Sequence, residues 1–396
     1  MSAGVDRNNW REGILTDLGT VSRGRSRHRP RNDPILFGGS YPFFQTGDVK
    51  TATLWLDRYW ATYNDVGLEQ SKLWPSQTLC ITIAANIADS AILGIPGCFP
   101  DSIVGFTVDD SVADVRFVKY MLDYIQQRFQ GISRGTTQDN LSLEKLLSVN
   151  FRYPPLRVQR KIGTILSTYD DLIENNSRRI KILEEMAQQI YREWFVEFRY
   201  QGHEDVPLVD SKLGSIPTEW AWKELRDVVE LAYGKALKAD TRRNGSVPVF
   251  GSGGAVGEHD IALVDGPGIV VGRKGNVGSV YWSDKPFFPI DTTYFVRTGL
   301  PMSYVYFALQ DLAFIDSHAA VPGLSREQAY GLPFMLPDAQ ILMAFDDVVT
   351  PIIALKRTLN EQNTSLCTAR DLLLPRLISG EIDMDKLDIE TAESSA

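Results

Sequence analysis

Forty residues from Gln159 to Phe198 run without a proline and with a single glycine, Gly163. Apolar residues recur along them in alternating steps of four and three: Ile162, Leu166, Tyr169 and Ile173, then Ile180, Leu183, Ala187, Ile190 and Trp194. That spacing holds one stripe on one face of a helix, close to the a/d seam of a coiled coil. At 1.5 Å per residue such a helix is about 60 Å long. One small core does not cover a rod of that length. The pattern therefore predicts a spacer or a partner surface between separate folded bodies.

A second periodic stretch lies near the C-terminus, with a seam at Phe345, Val348, Ile352, Leu355, Leu359, Leu366, Ala369 and Leu373. Pro351 inside it predicts a kink or break near Thr350. The rest of the chain reads as two α+β domains built of short strands broken by Gly, Pro and Asn. Thr78–Ile83, Ile103–Val108, Ile269–Val271 and Ser279–Trp282 are the clearest strands, and Arg116–Phe129 and Met302–Phe314 read as helices. No βαβ alternation calls for a parallel sheet. The expected divisions are 1–155, a first domain; 156–199, the first long helix; 200–220, a polar linker; 221–336, a second domain; 337–380, the second long helix; and 381–396, an acidic, disordered tail.

The two domains echo each other. With a shift of 190, Ala85-Asn86-Ile87-Ala88 falls on Gly275-Asn276-Val277-Gly278, and with a shift of 183, Leu141-Ser142-Leu143-Glu144 falls on Leu324-Ser325-Arg326-Glu327. Each half then exits through prolines into a long helix. The expected fold is two mixed α/β domains separated by two long antiparallel, coiled-coil-like helices, a diverged tandem repeat with a pseudo-twofold axis.

The net charge of −9 gives no general affinity for phosphates. Local fields matter more, and Arg23, Arg25, Arg27, Arg29 and Arg31 crowd one Gly/Ser/Pro loop with His28. Three scattered cysteines suggest a reducing compartment. With no signal segment and no membrane-length apolar run, the expected location is cytoplasmic. The four histidines show no metal-ligand spacing with the cysteines, and Gly251–Gly257 lacks the Lys-Ser/Thr that completes a phosphate loop. Phe250-Gly251-Ser252-Gly253 and Tyr153-Pro154-Pro155-Leu156 fall short of adenosylmethionine and target-base motifs. The chain is expected to catalyse nothing alone and to hold no cofactor or metal.

Several motifs together carry a family resemblance over nearly the whole chain. They are Pro154-Pro155-Leu156 leading to Gln159-Arg160-Lys161-Ile162; Asp170-Asp171-Leu172-Ile173-Glu174-Asn175-Asn176; Ile182-Leu183-Glu184-Glu185-Met186-Ala187-Gln188; and Arg370-Asp371-Leu372-Leu373-Leu374-Pro375-Arg376-Leu377-Ile378 followed by Ser379-Gly380-Glu381-Ile382. The chain resembles the specificity subunits of Type I restriction–modification enzymes. The resemblance implies two target-recognition domains, each reading one half of a bipartite, asymmetric site in double-stranded DNA. It also implies helices that dock two methyltransferase subunits and, with them, motor-nuclease subunits. S-adenosylmethionine, ATP and Mg are then expected on those partners. Readings that compete are a coiled-coil scaffold with two protein-binding domains and part of a fused restriction–methylation enzyme.

Arg and Lys suit guanine, Asn and Gln suit adenine, and Ser or Thr assist. On that basis the candidate DNA contacts are Arg25, Arg27, Asn86, Arg134, Thr136, Thr137 and Gln138 in the first domain. In the second they are Lys235, Arg242, Arg243, Arg273, Lys274, Asn276 and His318. In the helices, Asn176 and Gln362 interrupt the apolar runs and are expected to face each other, within about one residue, as a register-setting pair.

Overall fold

The computed structural model describes residues 9–83, 89–133, 143–314 and 323–387. The chain divides into two compact units, Met1–Ser177 with Glu361–Ala396, and Arg178–Asn360. Among the described residues no helix is long and apolar enough to cross a membrane.

The first unit holds β1 (Arg11–Gly13), β2 (Gly19–Arg23), β3 (Phe37–Phe43), α1 (Thr46–Thr51), β4 (Trp55–Leu56), β5 (Ala61–Tyr63), α2 (Asp65–Gln70), β6 (Leu79–Thr82), β7 (Ser90–Leu93), β8 (Ile103–Val108), α3 (Val115–Ser133), α4 (Leu143–Ser148), β9 (Phe151–Tyr153) and most of α5 (Leu156–Tyr191). Five strands form a sheet in the order β2-β8-β6-β7-β4. Alternation sends side chains to both faces. Leu79, Ile81 and Ile92 pack with Phe117, Val118 and Met121 of α3 and with Val158, Ile162 and Leu166 of α5. Cys80, Ala91 and Leu93 pack with Phe44, Trp74 and Phe99 on the other side. Burial on two faces is why β6 reads as one apolar run rather than as an alternation.

Gln159 ties the start of α5 to this domain. Its buried side-chain amide donates to the carbonyls of Val112 (3.0 Å) and Pro154 (2.9 Å) and accepts from the Asp114 N–H (3.2 Å).

The second unit holds β10 (Leu208–Ser211), β11 (Gly214–Pro217), β12 (Ala221–Glu224), β13 (Glu230–Tyr233), β14 (Val247–Gly251), β15 (Gly254–His259), β16 (Gly268–Gly272), β17 (Val280–Ser283), β18 (Phe288–Pro289), β19 (Thr293–Arg297), α6 (Met302–Asp311), α7 (Arg326–Tyr330), β20 (Pro333–Leu336) and the first part of α8 (Ala339–Ile378). Its main sheet runs β13-β19-β16-β17. A π-helical turn, Arg192–Val196, follows α5 and carries Phe195 into an aromatic core, 4.6 Å from Tyr304 and 4.9 Å from Phe345 between ring centroids.

The repeat is visible element by element. β1 pairs with β9 as β12 pairs with β20, and α3, α4 and α5 of the first half answer to α6, α7 and α8 of the second. Within each unit the two long helices run antiparallel, because partners on α8 fall in number as those on α5 rise. Asp170 meets Arg370 and Asn176 meets Asn363 in the first unit, and Glu184 meets Lys356 in the second.

Several expectations need correction. The Asn176 amide donates to Asn363 Oδ1 at 3.0 Å, and Asn363 Nδ2 donates to the Ile173 carbonyl and Ser177 Oγ, each at 3.3 Å. Gln362 is exposed, so the polar partner is one residue further along. The second seam holds at Phe345 and Leu359, which are buried, and shifts by one residue at two positions: Val348 and Leu355 are exposed, while Val349 and Lys356 turn inward. Adjacent apolar residues such as Val348-Val349 fit either phase of a 3.5-residue repeat, and contacts with the domain decide between them. Pro351 does not break α8. Its ring lies on the exposed face, and burial of Leu342, Phe345 and Val349 offsets the lost hydrogen bond, which costs about 3 kcal/mol. The linker contains the β10–β11 hairpin, and Tyr200 stacks on Trp220 at 5.5 Å. The described part of the tail, through Leu387, is tied to α5: the buried Lys161 ammonium donates to the carbonyls of Met384 (3.2 Å) and Leu387 (2.6 Å).

Candidate nucleic-acid interface

One end of each main sheet carries Arg25 in the first unit and Lys235, Arg273, Lys274 and Asn276 in the second, and strand register places them there. In the first unit Arg23 pairs with Val104, Thr82 with Ile103, and Ile81 with Ser90. In the second Tyr233 pairs with Tyr294, Gly272 with Thr293, and Val271 with Val280. These are the same positions of the repeat. The loops after β2 and β13, and those between β6 and β7 and between β16 and β17, therefore leave equivalent sheet ends.

A two-residue corner follows β2 and β13, and it is built alike in both units. The Gly24 N–H donates to Ile103 O at 2.8 Å, as the Gly234 N–H does to Thr293 O at 3.1 Å. The next residue is basic in both. The Arg25 N–H donates to Phe99 O at 3.2 Å and the Lys235 N–H to Pro289 O at 3.0 Å. A Cβ on Gly24 would stand 2.2 Å from Pro100 O, and one on Gly234 2.1 Å from Ile290 O. Only a residue without a side chain admits this approach. The corner thus fixes the backbone of Arg25 and Lys235, and the Lys235 side chain extends into solvent.

The basic loop of the first unit is partly neutralised. Asp101 takes Arg31 at 2.7 Å and lies 3.9 Å from Arg29. His28 bonds Asp33 at 2.8 Å, and that hydrogen bond holds the Asp33 carboxyl below the usual carboxylate range. Among the described residues no carboxylate pairs with Arg23, Arg25 or Arg27. Arg27 is exposed, and Arg25 is half-buried with one Nη donating to Glu69 O at 3.4 Å. Asn86, Arg134, Thr136, Thr137 and Gln138 lie outside the described residues, as does His318.

In the second unit Lys235, Arg273, Lys274 and Asn276 share the sheet end. Lys235, Lys274 and Asn276 are exposed. Arg273 is half-buried, donates to Asp291 O at 3.0 Å and lies over the Tyr233 ring at 5.0 Å from its centroid. Gly275, at φ +85°, lets the loop turn so that Asn276 presents outward. Arg242 and Arg243 do different work. Arg242 donates to Val256 O at 2.6 Å, bracing the β14–β15 hairpin, and Arg243 pairs with Asp260 at 2.9 Å. Arg326 and Tyr233 escaped the sequence reading. The repeat offered a signal: Arg326 stands where the first half has Leu143, a charge in place of an apolar residue.

Among the described residues no cluster of His, Cys, Asp and Glu is arranged to hold a metal ion. Burial pushes the Cys98 thiol up to about 11 and Cys80 higher still, so neither is a thiolate at neutral pH. The arrangement is a pair of electropositive sheet ends, suited to holding a polyanion.

A family model for the Type I restriction modification DNA specificity domain matches residues 7–185 and 217–362. The Type I restriction enzyme MjaIX specificity subunit of Methanocaldococcus jannaschii is 22% identical over 417 residues, spanning 96% of this chain and 94% of that protein. The EcoprrI specificity subunit of Escherichia coli is 21% identical over 349 residues, spanning 81% of this chain and 83% of that one. The crystal structure of the Type-I restriction-modification system S subunit from M. genitalium aligns over 98% of this chain and 99% of its own, with a TM-score of 0.60 at 17% identity. That likeness is one of fold.

Proposed function

The chain belongs to the family of Type I restriction–modification specificity subunits, and from that premise we propose that it reads a bipartite, asymmetric site in double-stranded DNA, one half-site per unit. The observation that carries this reading is the doubled Gly-basic corner, Gly24-Arg25 and Gly234-Lys235. DNA backbone is the same in both half-sites, and bases are not. A basic residue held by the same backbone corner in both units suits phosphate, whereas the neighbouring loops, which differ, suit base edges.

The same reading assigns the helices to partners. Ile182 and Met186 on α5, and Val348 and Leu355 on α8, are large apolar residues at 41–54% exposure. Such surface on long helices suits protein docking. We assign it to two adenine-methyltransferase subunits, with motor-nuclease subunits joining through them, in the cytoplasm. S-adenosylmethionine, ATP and Mg then sit on those partners, and this chain contributes recognition rather than catalysis. A chain with a net charge of −9 gains from partners that supply further positive charge to complete a clamp around DNA.

Lys235→Ala and Arg25→Ala test the phosphate assignment. Each is expected to weaken duplex binding by the chain–methyltransferase assembly to a similar degree on any sequence. Each should also shallow the plot of log affinity against log salt by about one unit. Fluorescence anisotropy across a salt series measures both quantities. Unchanged affinity and slope in both variants would remove the corners from the interface.

A further inference from the structure

The second unit carries a side-chain stack that the equivalent residues of the first cannot form. The Arg273 guanidinium lies 5.0 Å from the Tyr233 ring centroid, and the Arg326 guanidinium lies 4.9 Å from the same centroid and 5.7 Å from that of Tyr330. Tyr233 is 48% exposed, so this stack stands at the surface of the sheet end described above. Among the described residues no carboxylate pairs with either arginine. Glu327, next to Arg326 in sequence, faces Arg226 at 3.6 Å. Arg273 is committed to the Asp291 carbonyl. Arg326 has no protein acceptor among the described residues, and its Nε is buried without a partner.

Among the described residues, two guanidiniums share one ring without a counter-charge, and one of them has its donors unspent. Stacking fixes the plane of a guanidinium and so orients its fork. The positions that answer to Tyr233, Arg273 and Arg326 in the first unit are Arg23, Ile83 and Leu143, and no such stack is possible there. A contact to the sequence-neutral backbone has no reason to differ between the repeats, as the Gly-basic corners illustrate. A contact to bases does.

We propose that Arg326, held on Tyr233 and braced by Arg273, is a specificity-determining residue that reads one guanine of the half-site bound by the second unit. Its fork meets the O6 and N7 acceptors on the major-groove edge. The proposal rests on the reading of the chain as a DNA specificity subunit.

Methylome sequencing of the host tests it, with the gene deleted, wild-type, Arg326→Lys or Arg326→Ala. The wild-type gene alone decides the underlying reading: if no bipartite methylated motif depends on it, that reading fails, whatever Arg326 does. Given a motif, Arg326→Lys keeps the charge and loses the fork. It is expected to relax one required G in one half of the motif and leave the other half intact. Affinity for the wild-type site should fall about 10- to 100-fold, with little change for sites altered at that G. Arg326→Ala should relax the same position. If the alanine chain supports no methylation at all, the lysine chain decides alone. An unchanged motif with Arg326→Lys overturns the proposal. So does equal weakening on every sequence with a shallower salt dependence, which would make Arg326 a phosphate contact.

Discussion

Replacing Arg370 with leucine is expected to destabilise the first unit by about 3–5 kcal/mol, the cost of leaving a buried charge without its partner. Arg370 lies on α8 and donates through Nη1 to Asp170 Oδ1 on α5, and the Tyr120 hydroxyl on α3 donates to Oδ2 of the same carboxylate. The Asp170 side chain is 3% exposed and that of Arg370 23%. Three elements thus meet at one carboxylate, which water does not reach. Burial pushes the Asp170 carboxyl above its ordinary value, and the Tyr120 hydrogen bond and the Arg370 charge pull against that shift. Without Arg370 the carboxyl rises further. The folded variant then keeps a proton that the unfolded chain releases. The deficit should therefore be smallest below the ordinary carboxylate range and grow as pH rises through the raised value. Urea unfolding of the first unit, followed through Trp55 at several pH values, measures this. Asp371→Ala, at a residue whose side chain is 54% exposed, should change little. An Arg370→Leu midpoint equal to wild type at neutral pH would mean that the cluster adds no stability.

Gly234→Ala is expected to disable the second recognition surface. The added methyl would stand 2.1 Å from Ile290 O and 2.6 Å from Pro289 O, the carbonyl that receives the Lys235 N–H. Both obstacles are backbone, so the corner itself must move. Overpacking of this kind costs about 1–3 kcal/mol, and here the displaced segment carries Lys235 and adjoins Tyr233. Loss of DNA affinity should therefore exceed what the fall in stability explains. Gly24→Ala should act in the same way on the first unit, 2.2 Å from Pro100 O. Gly299→Ala, with nothing within 4 Å, is the control and should bind as wild type. Duplex-binding titrations beside thermal melts separate the two effects. Normal affinity in Gly234→Ala would show that the corner does not position the interface.

The long helices and the doubled plan were legible because they depend on spacing. Ile162, Leu166, Ile173 and Ala187 are buried where the periodicity placed them. Polar partners were less legible. Gln362 and Asn363 both interrupt the seam of α8, and the angle of the helix against its domain decides which of them turns inward. Basic residues carried the weakest signal, since a sequence does not say which cation has already been neutralised. Arg29 and Arg31 look identical to Arg25 and Arg27 until Asp101 is seen beside them. Arg242 looks like Arg273 until its bond to Val256 is seen. Arg326 was hidden because its meaning depends on Tyr233, ninety-three positions away in sequence and in contact only through the fold.

If the two units read DNA separately, exchanging one unit exchanges one half-site. The most direct test replaces residues 221–336 with the matching stretch of another specificity subunit and sequences the methylome of the host. One half of the methylated motif should change to the donor's half-site while the other half stays as in wild type. A motif altered in both halves, or in neither, would contradict the division of recognition between the two units.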